Sequence, residues 1–207
     1  MNTFTIVNIG NLSMNKYWGE TERVRPPSST CTLLNVRGCR LLVDPSPWPD
    51  RLEEQLFRTT GLKPSAVDMV FVTHVHPDHR FGLELFEGVP WLMAASELES
   101  WREGAEEQAD LAAAFQHAEG NLPEGVDLVP TPGHTPAHCS LALDIPWGRL
   151  LVAGDAVMTP DFWAHEDGFH NTADWDALSE TLHRIRNEAD FVVPGHGNYF
   201  PTTHGQE

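Results

Sequence analysis

The sequence predicts an α+β protein in which two β-sheets pack face to face and helices cover their outer surfaces. Strand-like segments occur in two runs, and helical segments separate and follow those runs. The 207 residues suit one domain, and 41% of them are apolar, enough for a substantial core. Because no low-complexity stretch, long linker or internal repeat divides the chain, we expect a single domain over residues 1–207.

The strands are predicted from short apolar runs that turn residues bound. The first run comprises residues 3–9, 30–36, 39–44, 67–73 and 90–94, and the second comprises 126–130, 139–145, 149–154 and 190–194. Arg37 and Gly38 separate two of the segments and suit a hairpin, although the stronger Asn-Gly signal is absent.

Helices are predicted over residues 51–60, 96–118 and 174–188. Asp50 and Glu53 have the spacing of a capping pair for the first helix, and Gly61 stands where a C-terminal glycine belongs. The last helix carries one apolar stripe, formed by Trp175, Leu178, Leu182 and Ile185. That stripe predicts a helix that packs one face on a sheet.

The densest chemical feature of the chain is the hexapeptide at residues 74–79. Four of its six residues can bind a metal, namely His74, His76, Asp78 and His79. It follows the buried strand at 67–73, and Pro77 ends that strand because proline has no N–H for a ladder. The donors are thereby turned toward two neighbouring positions, which predicts a pair of metals a few ångströms apart.

Three further donors follow apolar strands in the same way. His134 lies in Thr-Pro-Gly-His-Thr, Asp155 ends Leu-Leu-Val-Ala-Gly-Asp, and His196 lies in Val-Val-Pro-Gly-His-Gly. Glycine beside each donor permits unusual backbone angles and close approach. The alternative is a histidine-rich surface turn, in a chain with 11 histidines, together with an ordinary turn aspartate. Four strands that each end in a donor favour one shared site.

The ordered motifs H-x-H-x-D-H, P-G-H-T, G-D and P-G-H-G resemble the metallo-β-lactamase superfamily. The match runs from the first predicted strand to His196. The resemblance implies a four-layer αββα sandwich with two metals at one edge between the sheets. The combined pattern is specific for the fold and only weakly specific for the substrate, since many chemistries use this scaffold.

The resemblance also implies a ligand assignment. One metal would be held by His74, His76 and His134, the second by Asp78, His79 and His196, and Asp155 would bridge them. Two Zn²⁺ ions are the first expectation, and Fe²⁺ or Mn²⁺ would also suit imidazole and carboxylate donors. The implied chemistry is attack of a metal-bound hydroxide on a carbonyl, with Asp78 as a candidate proton shuttle.

His138 is a second catalytic candidate, four residues beyond His134. It either supports a ligand or contacts the reacting oxyanion, and a histidine that only packs against the turn is equally open. The segments Asn11–Pro27 and Phe162–Trp163 are expected to wall the cleft or simply to pack over a sheet. The other histidines lack ligand-like spacing and predict surface or packing roles: His117, His165, His170, His183 and His204.

Departures from known subfamilies narrow the substrate class. Residues 156–163 contain no Lys, Arg or Cys, which argues against the hydroxyacylglutathione hydrolases. The quorum-quenching lactonases usually have tyrosine where this chain has Met158, but the turn His134-Thr-Pro-Ala-His138 is close to theirs. We therefore expect a dinuclear hydrolase of a small ester, thioester or lactone, with a lactone as first choice. A mononuclear iron enzyme that resembles sulfur dioxygenases and a non-catalytic metal-binding protein are the alternatives.

Charge and composition exclude several partners. The net charge of −17 disfavours nucleic acid, which needs clustered Lys and Arg, so a small-molecule substrate is expected. Three cysteines predict no disulfide framework. The first residues lack a basic region before an apolar run, so we expect no signal peptide. No stretch approaches about 18 consecutive apolar residues, so we expect no membrane span and a cytoplasmic location. The oligomeric state stays open.

Overall fold

In the computed structural model, residues 1–104 and 106–202 are described, and they form two mixed β-sheets. The first sheet has the strand order β1-β2-β3-β4-β5-β6, with β1 to β3 antiparallel and β3 to β6 parallel. Its strands are β1 (Thr3–Asn8), β2 (Cys31–Val36), β3 (Cys39–Val43), β4 (Met69–Phe71), β5 (Trp91–Met93) and β6 (Phe115–His117).

The second sheet has the order β11-β10-β9-β8-β7. Its strands are β7 (Val126–Pro130), β8 (Cys139–Ile145), β9 (Gly148–Gly154), β10 (Phe191–Pro194) and β11 (Phe200–Pro201). Only β9 and β10 run parallel to each other. Nine of the eleven strands in the described residues were predicted from the sequence; β6 and β11 were not, since they have three and two residues and present no alternating pattern.

The helices are α1 (Pro49–Thr60), α2 (Ala95–Gly104), α3 (Ala109–Ala114), α4 (Pro160–Ala164) and α5 (Trp175–Glu188). The single helix predicted over residues 96–118 is wrong: α2 and α3 are separate, and the segment ends in β6. Phe115 is buried against Trp101 and Trp91 and pairs with β5, so tertiary packing overrides the helical propensity of the alanine-rich stretch.

The boundaries of α1 were predicted with mixed success. Its N-cap is Trp48, and Pro49 is the first helical residue, so the predicted capping role of Asp50 is wrong. Gly61 does end the helix, with a left-handed φ of 73° and an N–H that donates to the Phe57 carbonyl.

The apolar core confirms the four-layer arrangement. Side chains of the two sheets share one buried cluster, in which Leu34, Leu41 and Phe71 of the first sheet join Leu141 and Val152 of the second. Helix α1 packs on the outer face of the first sheet through Leu52 and Leu56, and α5 packs on the second through Leu178, Leu182 and Ile185. Trp175 of the predicted α5 stripe is instead 49% exposed.

One edge of the sandwich collects the turns that carry the predicted ligands. The turn at residues 74–79 follows β4, residue 155 follows β9, and residues 195–197 follow β10. The turn at 131–138 joins β7 to β8, whose first residue lies at this edge because β8 runs antiparallel to β9. The Thr30 N–H donates to the Gly195 carbonyl at 2.7 Å, which links the two sheets there. None of the described helices is long and apolar enough to cross a membrane.

Candidate metal centre

The structure brings all seven predicted ligands together in two adjoining groups. The first group is His74, His76, His134 and Asp155, and the second is Asp78, His79 and His196. Within each group, one ligand atom from every residue lies within 4.8 Å of the others. Residues that are far apart in the sequence therefore meet because four strands end at the same edge.

Asp155 lies between the two groups. Its Oδ1 is 3.1 Å from His79 Nε2 and 3.2 Å from His196 Nε2. Its Oδ2 faces the other group, 3.2 Å from His134 Nε2 and 3.7 Å from His74 Nε2. Each carboxylate oxygen thus serves one group, which is the arrangement that a bridging ligand requires.

Asp44 orients two of the imidazoles, directly or through Thr73. The Asp44 carboxylate lies 2.8 Å from His79 Nδ1, and the Thr73 hydroxyl donates to Asp44 at 3.0 Å. Since that donation uses the only proton of the hydroxyl, Thr73 Oγ1 must accept from His74 Nδ1 at 3.1 Å. Both rings then carry a proton on Nδ1, so that each ring, when it is neutral, has its Nε2 lone pair on the side of Asp155.

His196 is oriented by the main chain. Its Nδ1 lies 2.9 Å from the Ser28 carbonyl oxygen, which can only accept a hydrogen bond. The proton of the neutral ring is therefore on Nδ1, and Nε2 faces Asp155 and Asp78, 3.7 Å from the Asp78 carboxylate. Ser28 belongs to the segment that precedes β2, so the first sheet positions a ligand that the second sheet carries.

The donors fit a pair of divalent cations. His74 Nε2 and His134 Nε2 lie 2.9 Å and 3.0 Å from His76 Nδ1, close to the roughly 3.3 Å that separates nitrogens around a tetrahedral zinc. Among the described residues, the buried atoms His79 Nε2 and Asp155 Oδ1 lie 3.1 Å apart but form no hydrogen bond of acceptable geometry with each other or with any other group. Orphaned atoms of this kind call for an ion or another ligand.

Burial and charge prepare the imidazoles for a cation. Burial lowers the pKa of His74 well below its usual range and that of His134 to about 4, which keeps both rings neutral at pH 7. Burial would lower the pKa of His79 and His196 as well, but the charge of Asp155 raises both values. The second group therefore attracts positive charge, which a metal would supply in place of protons.

Glu97 ties the two ligand turns of the first group together. Its side chain is buried at the start of α2 and accepts from the Val75 N–H at 3.2 Å and from the Thr135 hydroxyl at 2.8 Å. Burial raises the pKa of this carboxyl. Val75 and Thr135 each adjoin a predicted ligand, so the contacts of Glu97 hold His74, His76 and His134 in register.

His138 lies behind the ligands. It is fully buried, its ring centroid is 5.0 Å from that of His74, and its Nδ1 lies 2.8 Å from the Thr131 hydroxyl. His138 is absent from the residues that line the cleft over the metal groups. Its position favours the predicted supporting role over direct contact with a reacting oxyanion.

A cleft of about 150 Å³ opens over the two groups. Its floor is formed by His76, Asp78, His134, Asp155 and His196. Its walls carry apolar and polar side chains, namely Leu12, Pro27, Pro77, Met158 and Phe169 together with Ser13, Arg23 and Asn171. Met158 thus occupies the cleft at the position where the lactonase pattern has a tyrosine.

The two predicted wall segments pack against each other, since the Tyr17 and Phe162 rings meet edge to face with centroids 5.0 Å apart. The Tyr17 ring also stacks on His165 at 4.1 Å, and its hydroxyl donates to Asp167. Trp18 Nε1 donates to Asp161 at 2.9 Å. The segment at residues 11–27 does line the cleft, through Leu12, Ser13, Arg23 and Pro27, whereas Phe162 and Trp163 do not.

The remaining histidines lie outside the two groups. His165 stacks on Tyr17, His117 is 3.9 Å from Glu99, and the exposed His183 accepts a bond from Asn187 through its backbone carbonyl. His170 is exposed beside Phe169. His204 lies outside the described residues.

Sequence reasoning missed Asp44 and Glu97. Asp44 ends the apolar run Leu41–Val43, as Asp155 ends its own strand, and this pattern was available in the sequence. Glu97 had no comparable signal, because a glutamate near the start of a predicted helix is ordinarily a solvated residue.

Comparisons with known proteins agree with this geometry. The family model of the metallo-beta-lactamase superfamily matches residues 24–196. "Metallo-beta-lactamase domain-containing protein 1" of Xenopus laevis is 34% identical over 178 residues, 80% of this chain and 70% of that protein. An N-acyl homoserine lactonase of Bacillus sp. is 25% identical over 150 residues, and the match spans 68% of this chain but only 60% of the lactonase.

A solved structure of N-acyl homoserine lactone hydrolase, with the product N-hexanoyl-L-homoserine bound at its catalytic metal centre, superposes with a TM-score of 0.70. The match covers 94% of this chain and 92% of that chain at 22% sequence identity. At this identity the likeness shows the fold alone.

Proposed function

Because this chain belongs to the metallo-beta-lactamase superfamily, we propose that it is a dinuclear metal-dependent hydrolase of a small ester, thioester or lactone. The family and the His/Asp cluster support a metal-dependent hydrolase. The observation that carries the dinuclear proposal is the position of Asp155, whose two oxygens face the two ligand groups.

The residues that would hold the metals also define the reaction. When bound, divalent cations such as Zn²⁺ polarise a carbonyl oxygen and lower the pKa of water from about 15.7 to about 7. Asp78 lies in the floor of the cleft with its side chain 18% exposed, so it is accessible both to a substrate and to the second group. We assign to Asp78 the transfer of a proton to the leaving oxygen or sulfur.

The cleft walls support a small substrate, since they are mainly apolar or neutral, with Arg23 as the cationic side chain among the described lining residues. Leu12, Met158 and Phe169 supply apolar contacts, and Ser13 and Asn171 supply hydrogen bonds for a carbonyl or leaving group. Met158 has no hydroxyl to offer, so these polar side chains are assigned the orienting role. A lactone is the first choice, which the similarity to lactonases supports. The net charge of −17 disfavours nucleic acid as a substrate.

Metal analysis joined to turnover assays tests the proposal. We expect two metal ions per chain, hydrolysis of members of a lactone and aryl-ester panel, loss of turnover after chelation, and recovery with Zn²⁺. Asp155→Asn should lose metal and activity together, whereas Asp144→Asn, a change at an exposed carboxylate remote from the cleft, should keep both.

Three results would contradict the proposal. Undiminished turnover in chelator-treated protein would exclude a metal role. A single iron per chain with oxygen uptake would favour the oxidoreductase alternative. Two bound metals without turnover of any panel member would favour a non-catalytic metal-binding protein.

A further inference from the structure

A second pocket adjoins the metal cleft. It has a volume of about 220 Å³ and is lined mainly by Met14, Phe162, Phe169 and Trp175. Phe169 also lines the metal cleft, so the two spaces share this residue. A group that extends from a substrate in the cleft past Phe169 would enter the second pocket.

Both spaces lie on one seam between two chain segments. On the N-terminal side, Leu12 and Ser13 face the cleft and Met14 faces the second pocket. On the other side, Met158 faces the cleft and Phe162 faces the second pocket. Neighbouring positions along both segments therefore lead from the metal groups into the apolar pocket.

The lining is mainly apolar. Lys16 and His170 also border the pocket, and the Lys16 ammonium group is paired with Asp167. The half-buried Phe169 and the half-exposed Trp175 supply the open aromatic surface, while the buried Phe162 ring packs 6.2 Å from the Phe169 ring, tilted by 55°. Aromatic walls of this kind bind alkyl chains and rings through burial and ring contacts.

Trp175 is an apolar side chain of the pocket that the described residues leave half-exposed. The ring is 49% exposed at the first residue of α5, although the rest of the predicted stripe is buried. Gly168 lets the ring pack close to the backbone, because a Cβ at that position would lie only 3.1 Å from Trp175 Cζ3. Together with Met14 and Phe169, the exposed part of this ring forms a contiguous apolar surface that a ligand could cover.

The volumes indicate that the two spaces act together. The cleft and the pocket, at about 150 and 220 Å³, are each smaller than the roughly 300 Å³ at which ligand sites begin, and only together do they exceed it. At about 30 Å³ per water-sized group, the second pocket accommodates roughly seven groups.

We propose that the second pocket binds an uncharged alkyl or aryl substituent of the substrate while the scissile carbonyl occupies the metal cleft. This inference rests on the proposed hydrolase function and names the substrate class for the same site. Complete burial of one methylene group strengthens binding at most about fourfold. We therefore expect kcat/KM to rise about twofold for each methylene added to the side chain, until the pocket is full.

The test uses the metal-loaded protein and γ-lactones whose side chain lengthens from methyl to hexyl, with a γ-phenyl lactone as the aryl probe. Proton release gives kcat/KM, and calorimetric titration with octanoate, compared with acetate, gives binding without turnover. Met14→Trp should fill the pocket and Trp175→Ala should remove one wall. Trp147→Ala is the matched control, since Trp147 is 58% exposed in the turn between β8 and β9.

We expect a gain of about 30-fold from the methyl to the hexyl lactone in the wild type and the Trp147 variant, and a tenfold smaller gain in the two pocket variants. A larger gain with the phenyl lactone than with the hexyl lactone would assign an aryl group. Circular dichroism melting identifies a variant that fails to fold, and the other variant then decides.

The outcomes separate the two proposals. Turnover without a side-chain gain, or a gain that both pocket variants retain, would overturn the pocket assignment and leave the hydrolase proposal standing. If no lactone is hydrolysed but octanoate binds, and Met14→Trp abolishes that binding, the result would support the pocket assignment and count against the hydrolase proposal. Absence of both turnover and octanoate binding would overturn both.

Discussion

Gly195→Ala tests how closely the backbone surrounds the bridging carboxylate. The φ angle of Gly195 is outside the left-handed region, so alanine adds no backbone strain there. The added Cβ would, however, collide with Asp155 Oδ1 and lie 3.1 Å from Asp155 Cγ. The Gly154 carbonyl carbon at 3.0 Å blocks an alternative position for the methyl group. Asp155 must therefore move.

The expected magnitude follows from the distances. Asp155 Oδ1 must shift on the order of 1 Å to reach normal contact distance, whereas metal–ligand bonds tolerate about 0.2 Å. This oxygen lies 3.1 Å from His79 Nε2 and 3.2 Å from His196 Nε2, so the second group loses its shared ligand. Substitution of residues that only support metal ligands costs about 10- to 100-fold in metal affinity. Because Gly195→Ala displaces a ligand itself, we expect metal affinity to fall by at least about 100-fold, near 2.7 kcal/mol.

Elemental analysis and competition with a chromophoric chelator measure this loss, and urea unfolding of the metal-free protein measures the packing cost, expected at about 1–3 kcal/mol. Gly104→Ala is the matched control, because its Cβ would meet no atom within 4 Å and its φ is also outside the left-handed region. Retention of two metals at wild-type affinity in Gly195→Ala would refute the assigned role of Asp155.

Four further predictions concern the supports of the site and the wall of the cleft. Asp44→Asn should weaken metal binding about 10- to 100-fold in the same competition assay, with full retention as the contrary result. Glu97→Gln, which keeps one acceptor oxygen, should retain more metal affinity than Glu97→Ala, and equal losses would deny Glu97 a positioning role. Chelation should lower the melting temperature by roughly 10 °C, since about 4 kcal/mol is lost at a metal concentration 1,000 times Kd; an unchanged melting temperature would mean that no tight site exists. Burial raises the pKa of Asp167, but hydrogen bonds from Lys16 and Tyr17 lower it by more, so the folded pKa lies below the unfolded value of 3.8. The stabilisation that this carboxylate gives the fold is therefore present above pH 3.8 and disappears as the pH falls through the folded pKa. Asp167→Asn should therefore cost about 1 kcal/mol in urea unfolding at pH 7, and the cost should shrink only as the pH falls below 3.8 toward the folded value; a cost that does not shrink at acid pH would contradict this sign.

The parts of the fold that sequence reasoning predicted well are those with strong local signals. Strands such as β8 and β9 are continuous apolar runs that end at turns, and α5 has a clear helical stripe. The failures lie where local and tertiary preferences conflict. Residues 109–114 favour a helix, but Phe115 leaves it to pack on Trp91 and Trp101, and β6 forms from only three residues.

The sequence alone predicted the seven candidate donors and their order, because imidazole and carboxylate groups clustered in turns at strand ends are typical of metal sites. It also determined the family, since four spaced motifs occur in one order. Only the tertiary structure decided that Asp155 faces both groups, that Asp44 and Glu97 orient the ligands, and that an apolar pocket adjoins the cleft. The physical reason is that each of these features depends on the distance between segments that sheet pairing and packing bring together. A local sequence pattern indicates the secondary structure of one segment and which of its faces is buried, but not how far that segment lies from another.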